Sequence, residues 1–245
     1  MEVSTRRRGV PVHGEVDPER LWLTADQPRT GRRPRHSRAE ITAEAVALAD
    51  AEGLAAVTMR AVAARLGVGT MSLYTYVPDK DTLLELMIDQ AGGDLALPPV
   101  TGDWRADLHA LARAQRTLMH RHPWLPAAYP LRRTIGPGTL AALEHALAAL
   151  APTGLPGAAR LEVFALLTGF VASHVGYEVA QREALERSTR SAADLGAAQL
   201  RYLTAMAASG RYPQLAATLA EPPAPADPEA TFERLLGRLI NGLSP

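Results

Sequence analysis

The sequence contains no cysteine, which excludes disulfide bonds and thiolate metal sites and is compatible with a reducing cytoplasm. It also lacks an apolar run that approaches the ~20 residues of a membrane-spanning helix. The arginines near the N-terminus are not followed by a hydrophobic segment, so we expect no signal peptide. A chain of 245 residues is long enough to bury a sizeable core in one or two domains. These features predict a soluble, cytoplasmic protein without a membrane partner.

Lysine is almost missing as well, since Lys80 is the only one in the chain. The formal net charge is zero, but the charge is unevenly distributed. Five arginines and no acidic residue lie between Gln27 and Ala39. From Arg29 to Lys80, eight basic residues face five acidic ones, which gives this region a net charge of +3. Because phosphate binding depends on where charge is located, a basic N-terminal region on a neutral body is compatible with nucleic-acid binding.

The segment from Thr58 to Lys80 predicts two short helices joined by a glycine turn, and it reads TMRAVAARLGVGTMSLYTYVPDK. The Thr58 hydroxyl is suited to cap the first helix, and Gly67 is suited to the left-handed conformation that ends it. Thr70 is expected to cap the second helix, which presents small hydroxyls and phenols. Such a helix fits the major groove of DNA, where these groups reach base edges and phosphates. The pattern indicates a helix-turn-helix.

Helices are also predicted on both sides of this motif. Ser37 and Glu40 form a capping box that begins a helix ending near Gly53, and the segment 78–81 ends the motif and begins another helix. The continuous block from Ile41 to Met87 closely resembles the N-terminal domain of the TetR family of bacterial transcriptional repressors. The downstream half resembles the C-terminal domain of tetracycline-type repressors. This second resemblance rests on the segments 121–125, 136–138, 212–216 and 232–236.

The resemblance implies DNA contacts for seven residues of the motif. Arg60 lies near the start of the first motif helix and Lys80 lies just beyond the second. Tyrosine phenols and the lysine charge suit phosphates, and an apolar Met71 side chain suits a thymine methyl group. The implied DNA-binding residues are Arg60, Thr70, Met71, Ser72, Tyr74, Tyr76 and Lys80.

The fold class expected from these patterns is all-α, with no strand anywhere in the chain. Residues 1–36 are predicted to be a flexible, arginine-rich arm, in which Leu21, Trp22 and Leu23 dock on the body. Residues 37–95 form the helix-turn-helix domain as a bundle of three or four helices. Residues 101–245 form a helical ligand-binding and dimerisation domain, in which helices are predicted over 103–122, 139–150, 156–190, 192–208, 212–219 and 228–242.

The role of the arm is left open by the sequence. The arginine run from Arg29 to Arg38 either reaches into the minor groove beside the motif or is a solvated tail that adds non-specific affinity. Because residues 1–28 precede this run, we expect their removal to leave specific DNA binding largely unchanged.

A ligand site is predicted around the apolar centre of the long helix over 156–190. A few polar side chains on this helix and on the preceding one are suited to orient a small molecule in a mostly apolar pocket. They are Trp104, His109, Arg116, Thr168, Ser173, His174 and Tyr177. Alternatively, these groups satisfy the backbone or a dimer partner.

Other chemistries are disfavoured by spacing. Gly67, Gly69 and Ser72 follow a helix rather than a strand, so they do not indicate a nucleotide-binding loop. His120 and His122 point to different helix faces, and no carboxylate pairing supports a metal site. No nucleophile and base are paired either, so we expect no catalytic residue, metal or cofactor.

The sequence therefore predicts a ligand-responsive transcriptional regulator, most simply a repressor. It would bind a palindromic double-stranded DNA operator as a homodimer, and a small molecule would release it. The resemblance implies that the dimer forms mainly through the long helix and the final helix. Two alternatives stay open: a constitutive or architectural DNA-binding protein, and an enzyme that uses the C-terminal helical cavity.

Overall fold

The computed structural model describes residues 16–23, 36–221 and 227–243. Every regular element in these ranges is helical, as the sequence predicts. The α-helices in chain order are α1 (Arg38–Glu52), α2 (Met59–Arg65), α3 (Thr70–Leu73), α4 (Lys80–Gly93), α5 (Trp104–Arg121), α6 (Leu125–Ala128), α7 (Pro137–Leu150), α8 (Gly157–Glu186), α9 (Ala192–Ala208), α10 (Pro213–Ala220) and α11 (Pro228–Gly242). Most of the arginine run that we assigned to a flexible arm, residues 29–35, lies outside the described residues, as do the proline-rich residues 222–226.

The N-terminal head consists of α1 to α4, and its helix ends are set by local capping. Ser37 forms the predicted capping box with Glu40, and the Thr58 hydroxyl accepts from Ala61 N at 3.1 Å. Gly67 has φ of 66°, a left-handed conformation that favours glycine and turns the chain towards α3. The prediction that Thr70 caps the second motif helix is wrong. Gly69 occupies the cap position, and Thr70 is already the first helical residue.

Helix α4 is shared by the head and the C-terminal body. Leu83, Met87 and Ile88 are fully buried because α1 packs on one side of the helix and α7 on the other. Near the end of α4, the backbone approaches α7 very closely. A Cβ atom at Gly138 would lie 2.3 Å from the carbonyl oxygen of Asp89, so only glycine fits there. We call this close crossing of α4 and α7 the glycine seam.

The body packs α5, α7, α8 and α11 around a second apolar region that is continuous with the head. Helix α11 buries Phe232, Leu236 and Ile240 against α5 and α8. In α7, small side chains form most of the buried face. Ala142, Ala146 and Ala149 form the buried face of this helix, whereas Leu140 is 48% exposed. Small side chains face inward because the glycine seam brings α7 close to α4.

Apolar side chains also lie on the outside of the body. Leu166 on α8 is 54% exposed, and α9 and α10 pack on each other without burying any residue. Contrary to the sequence expectation, α8 is long and apolar enough to cross a membrane, although only 33% of that window is buried here. A single helix of this kind is weak evidence for a membrane span, because core helices of other proteins share its length and composition.

Residues 16–23 dock on the boundary between head and body, as expected for Leu21 and Trp22, whereas the expectation is wrong for Leu23, which is 78% exposed. They include a short π-helix over Glu19–Leu23. Leu21 is 4% exposed, and the Trp22 indole nitrogen donates to Thr134 Oγ1 at 3.1 Å. Arg38 on α1 donates to the Leu21 carbonyl oxygen at 3.1 Å.

Candidate functional site

Helices α2 and α3 present a group of exposed side chains on the head. Met71 is 79% exposed and Tyr74 is 41% exposed, whereas Leu73 between them is buried and fixes the helix to the core. Arg60, Ser72 and Lys80 are also exposed. In the part of the chain that the structure describes, none of these five side chains makes a hydrogen bond or ion pair. We call Arg60, Met71, Ser72, Tyr74 and Lys80 the reading surface.

The two other predicted DNA-binding residues, Thr70 and Tyr76, are half-buried. Tyr76 lines a cleft of about 290 Å³ at the edge of the reading surface, together with Ser72 and His36. Helix α3 has only four residues, shorter than the predicted span to Tyr76, and hydrogen-bonded turns extend it to Val77. The structure therefore leaves five of the seven predicted residues exposed and two half-buried.

In the body, Thr168 lies beside a small cavity between α5, α7 and α8. The buried Gln115 Nε2 donates to Thr168 Oγ1 at 3.1 Å, while Gln115 Oε1 has no hydrogen-bond partner. Tyr129 and Arg132 also line this cavity, and burial raises the pKa of the Tyr129 phenol. Its volume is about 10 Å³, which is roughly the space of one water molecule. A drug-sized ligand does not fit unless the helices move apart.

Arg116 and His174 belong to a second group of polar side chains, at the crossing of α5, α8 and α11. Arg116 donates to Glu178 Oε1 at 2.9 Å and also to Glu229, while His174 Nε2 lies 3.4 Å from Glu178 Oε1. His120 Nε2 is 3.0 Å from the other Glu178 oxygen. We call Arg116, His120, His174, Glu178 and Glu229 the Arg116 cluster.

Electrostatics hold this cluster together. Burial acts to raise the pKa of the Glu178 carboxyl, but the hydrogen bond and charge of Arg116 outweigh it and the pKa is lowered. Burial likewise acts to lower the pKa of Arg116, and the two carboxylates outweigh it, so that pKa is raised. The Arg116 guanidinium carbon also lies 4.7 Å from the centre of the Phe232 ring.

The remaining predicted ligand residues lie elsewhere. His109 Nδ1 is 3.6 Å from Glu233, which Arg113 holds with two hydrogen bonds. Trp104 is half-buried at the start of α5, 4.2 Å from the Arg105 guanidinium carbon. Ser173 and Tyr177 are exposed on the outer side of α8, away from the cavity. The structure therefore distributes the seven residues over the cavity edge, the Arg116 cluster with the nearby His109, the outer face of α8 and, for Trp104, the start of α5.

Sequence reasoning missed the polar contacts between head and body. Four carboxylates of the head bind residues 122–139 of the body, which we call the junction segment. Asp50 accepts from Trp124 Nε1 at 2.7 Å and lies 2.8 Å from His122 Nδ1. Glu85 accepts hydrogen bonds from Arg133 N and from the Thr134 hydroxyl, and Asp89 accepts one from Thr139 N. Asp81 forms an ion pair with the Arg133 side chain.

These residues leave only a faint signal in the sequence. Glu85 interrupts the apolar run 83–88 of α4, and Gln115 lies at an apolar position of α5. A polar residue at a helix position where an apolar core residue is expected indicates that it has a buried hydrogen-bond partner, but it does not identify that partner. Among the described residues, no group of three or more histidines and carboxylates is arranged to hold a metal ion.

Comparison with known proteins identifies relatives of both halves of the chain. Residues 41–87 match the family model of bacterial regulatory proteins of the tetR family. Residues 98–245, more than half of the chain, match the model of the tetracyclin repressor-like C-terminal domain.

Individual relatives extend over most of the chain. The chain is 39% identical over 200 residues to the HTH-type transcriptional repressor DrrR1 of Streptomyces coeruleorubidus, covering 81% of this chain and 74% of that protein. It is 34% identical over 232 residues to an HTH-type transcriptional regulator of Saccharopolyspora erythraea, covering 94% and 93%. Among solved structures, the TetR family protein ActR of Streptomyces coelicolor in complex with actinorhodin is similar, with a TM-score of 0.72, 29% identity and coverage of 85% and 95%.

Proposed function

This chain belongs to the TetR family of bacterial transcriptional regulators, and we propose that it represses its target genes as a homodimer that a small molecule releases from DNA. The observation that carries the proposal is the reading surface. Its five exposed side chains have no partner among the described residues, and they lie within the part of the chain that matches the tetR-family model. The regulator acts in the cytoplasm and has no enzymatic role.

Each protomer places α3 in the major groove of one operator half-site. Ser72 and Tyr74 approach base edges or phosphates, Met71 meets a thymine methyl group, and Arg60 and Lys80 bind phosphates. Two copies related by two-fold symmetry require a palindromic operator. Tyr76 and Thr70, which are half-buried, support the surface from beneath.

Dimerisation uses the outer side of α8. Leu166 is 54% exposed there, together with Tyr177 and Ser173, whereas Leu161, 49% exposed, lies on the flank of this face, about 140° around the helix from Leu166. Such an apolar stripe on a long helix is typical of a surface that a second copy covers. The main apolar face of α11 is buried within the protomer, so this helix contributes its half-buried flank with Leu235 and Leu239.

The effector enters between α5, α7 and α8, at the cavity lined by Gln115 and Thr168. Because this cavity holds only about one water molecule, the closed body cannot accommodate a drug-sized compound. An effector therefore selects an opened arrangement of these helices, and binding shifts the population towards it. The unpaired Gln115 oxygen accepts a hydrogen bond from the compound. The similar ActR has been solved in complex with actinorhodin, which supports actinorhodin as the first compound to test as effector.

The junction segment transmits this opening to the head. It connects α5 to α7, so movement of these helices displaces it, and the head carboxylates Asp50, Glu85 and Asp89 are bound to it. Displacement changes the orientation of the head and thus the separation of the two reading surfaces. An effector must bind the releasing state about 10⁴-fold more tightly to empty the operator fully.

The first experiment is selection of bound DNA from a random pool, followed by sequencing. An enriched two-fold palindrome is the expected result and supplies an operator for later measurements. If no motif is enriched, the protein is not a sequence-specific dimeric regulator, and the proposal is wrong.

The second experiment tests release with actinorhodin as the probe. The expected result is that the compound lowers affinity for the selected operator in the wild-type protein and does so less in Gln115→Leu. Thr204→Val, on the outer surface of the body, is the matched control and should respond like the wild type. If the compound binds and operator affinity does not change, the regulator is constitutive for this class of effector.

A further inference from the structure

The N-terminal segment 16–23 packs on the boundary between head and body. Leu21 is 4% exposed and belongs to the common apolar core. Leu23, two residues later, is 78% exposed. This contrast within one short segment shows specific docking through one face.

The docked segment is joined to both sides of the boundary by hydrogen bonds. Trp22 Nε1 donates to Thr134 Oγ1 of the junction segment, and Arg38 on α1 donates to the Leu21 carbonyl oxygen. A single short segment therefore connects the first helix of the head to the connection between α5 and α7.

Trp22 is also connected to a buried carboxylate through Thr134. The Thr134 hydroxyl accepts from Trp22 at 3.1 Å and donates to Glu85 Oε2 at 2.7 Å, so both of its hydrogen-bonding roles are used. Glu85 is 3% exposed and also accepts from Arg133 N at 2.6 Å. Buried polar groups of this kind strongly favour the one geometry in which all of them are paired.

We propose that residues 16–23 form an intramolecular strap that holds the head in one orientation on the body and so strengthens operator binding without contacting DNA. Both reading surfaces of a dimer must lie at the separation of the half-sites. Loosening the strap reduces the population of this arrangement, and the apparent affinity falls in proportion. The inference rests on the proposed operator binding, and it reverses the expectation that removal of residues 1–28 has little effect.

Point variants in the full chain test the strap. Leu21→Ala removes its buried anchor, and Trp22→Phe removes only the donor to Thr134. Leu23→Ala changes an exposed residue of the same segment and is the matched control. Amide hydrogen exchange of residues 129–136 reports docking independently of DNA, and affinity for the selected operator reports function.

We expect Leu21→Ala to accelerate exchange in residues 129–136 and to weaken operator binding roughly fivefold to tenfold. Trp22→Phe should have a smaller effect in the same direction, and it should have none in a Thr134→Val background, because the hydrogen bond is already absent there. Leu23→Ala should match the wild type in both measurements.

The salt dependence of binding separates a strap from a direct DNA contact. A strap variant should lose affinity equally at all salt concentrations, since no phosphate contact is removed. A lowered salt slope would mean that the segment binds DNA, which overturns the proposal. Unchanged or tighter operator binding in both Leu21→Ala and Trp22→Phe would overturn it as well. Unchanged hydrogen exchange in both variants overturns the docking itself, even if no operator is found.

Discussion

The reading surface on the head and the Arg116 cluster in the body are both polar, but their side chains are in opposite states. The five side chains of the reading surface have no hydrogen-bond partner among the described residues. In the Arg116 cluster, Arg116 binds Glu178 and Glu229, and Glu178 also faces His120 and His174. One surface thus has no internal bonds, whereas the other is held by ion pairs within the body. Of the buried side-chain atoms in this cluster, only Arg116 Nε and Glu178 Oε2 lack a hydrogen-bond partner among the described residues.

This difference indicates how each region is used. In the proposed function, DNA binding at the reading surface breaks no internal bond, so we expect its exposed side chains to contribute directly to affinity. A ligand that approaches the Arg116 cluster must compete with charge-assisted hydrogen bonds, which are stronger than neutral ones. We therefore assign the cluster a role in holding α5, α8 and α11 together, and we place the effector at the cavity beside Gln115.

The largest expected effect concerns the requirement for two reading surfaces on one operator. Leu166→Glu places a charge in the exposed apolar stripe of α8 and should prevent dimerisation. Because one head then binds alone, affinity for the palindrome should fall about a thousandfold. Sedimentation gives the oligomeric state and fluorescence anisotropy gives the affinity.

Leu97→Glu is the control for this variant, since Leu97 is 40% exposed on the connection between α4 and α5. It should remain a dimer and bind the operator like the wild type. A dimeric Leu166→Glu protein would show that another surface forms the interface.

The next effect is expected on the reading surface itself. Tyr74→Ala and Lys80→Ala should each weaken operator binding roughly thirtyfold, because the contact is lost twice per dimer. Lys80→Ala should also lower the salt slope by about two, one for each phosphate contact. Thermal unfolding should be unchanged, since both side chains lack internal partners.

Arg121→Ala, an exposed arginine at the end of α5, provides the comparison for charge alone. It should leave both affinity and salt slope unaltered. If Tyr74→Ala or Lys80→Ala binds the operator as tightly as the wild type, that residue does not contact DNA and its assignment is wrong.

The sequence predicted the head well because its determinants are local. Ser37, Thr58 and Asp79 each accept from a backbone N–H three residues later, and Gly67 ends α2 in a left-handed conformation. Such features depend on a few neighbouring residues. The Thr70 cap was the exception, because Gly69 already supplies the extended conformation before α3.

The polar partners in the body could not be predicted, because they are brought together only by packing. Gln115 and Thr168 are 53 residues apart, and Glu85 and Thr134 are 49 apart. Residue spacing within one helix contains no information on such pairs. The same holds for α7, whose buried face consists largely of alanines because its backbone crosses α4 closely at the glycine seam.

The Arg116 cluster provides a third prediction, on stability. Arg116→Met should lower the free energy of unfolding by about 2 kcal/mol, because Glu178 and Glu229 lose their partner and Glu178 is largely buried. Arg113→Met is the matched control, since the Arg113 side chain is 55% exposed and its pair with Glu233 should contribute under ~1 kcal/mol. Urea denaturation measures both. Equal losses would mean that burial does not distinguish the two pairs.

The smallest expected effect is the pH dependence of this difference. In the folded protein, the pKa of Glu178 lies below its usual value of 4.5. Its contribution to stability is therefore present above that value and is lost as pH falls through the lowered pKa. In Arg116→Met, Glu178 loses the hydrogen bond and charge of the arginine and keeps only the attraction of His120 and His174 against burial. Its carboxylate is then held less strongly, so the variant loses less stability as pH falls. The stability difference between wild type and Arg116→Met should thus shrink from pH 5 to pH 3, an interval below the reference pKa of histidine. A difference that stays constant over this interval would show that the arginine acts through packing on Phe232 rather than through the Glu178 carboxylate.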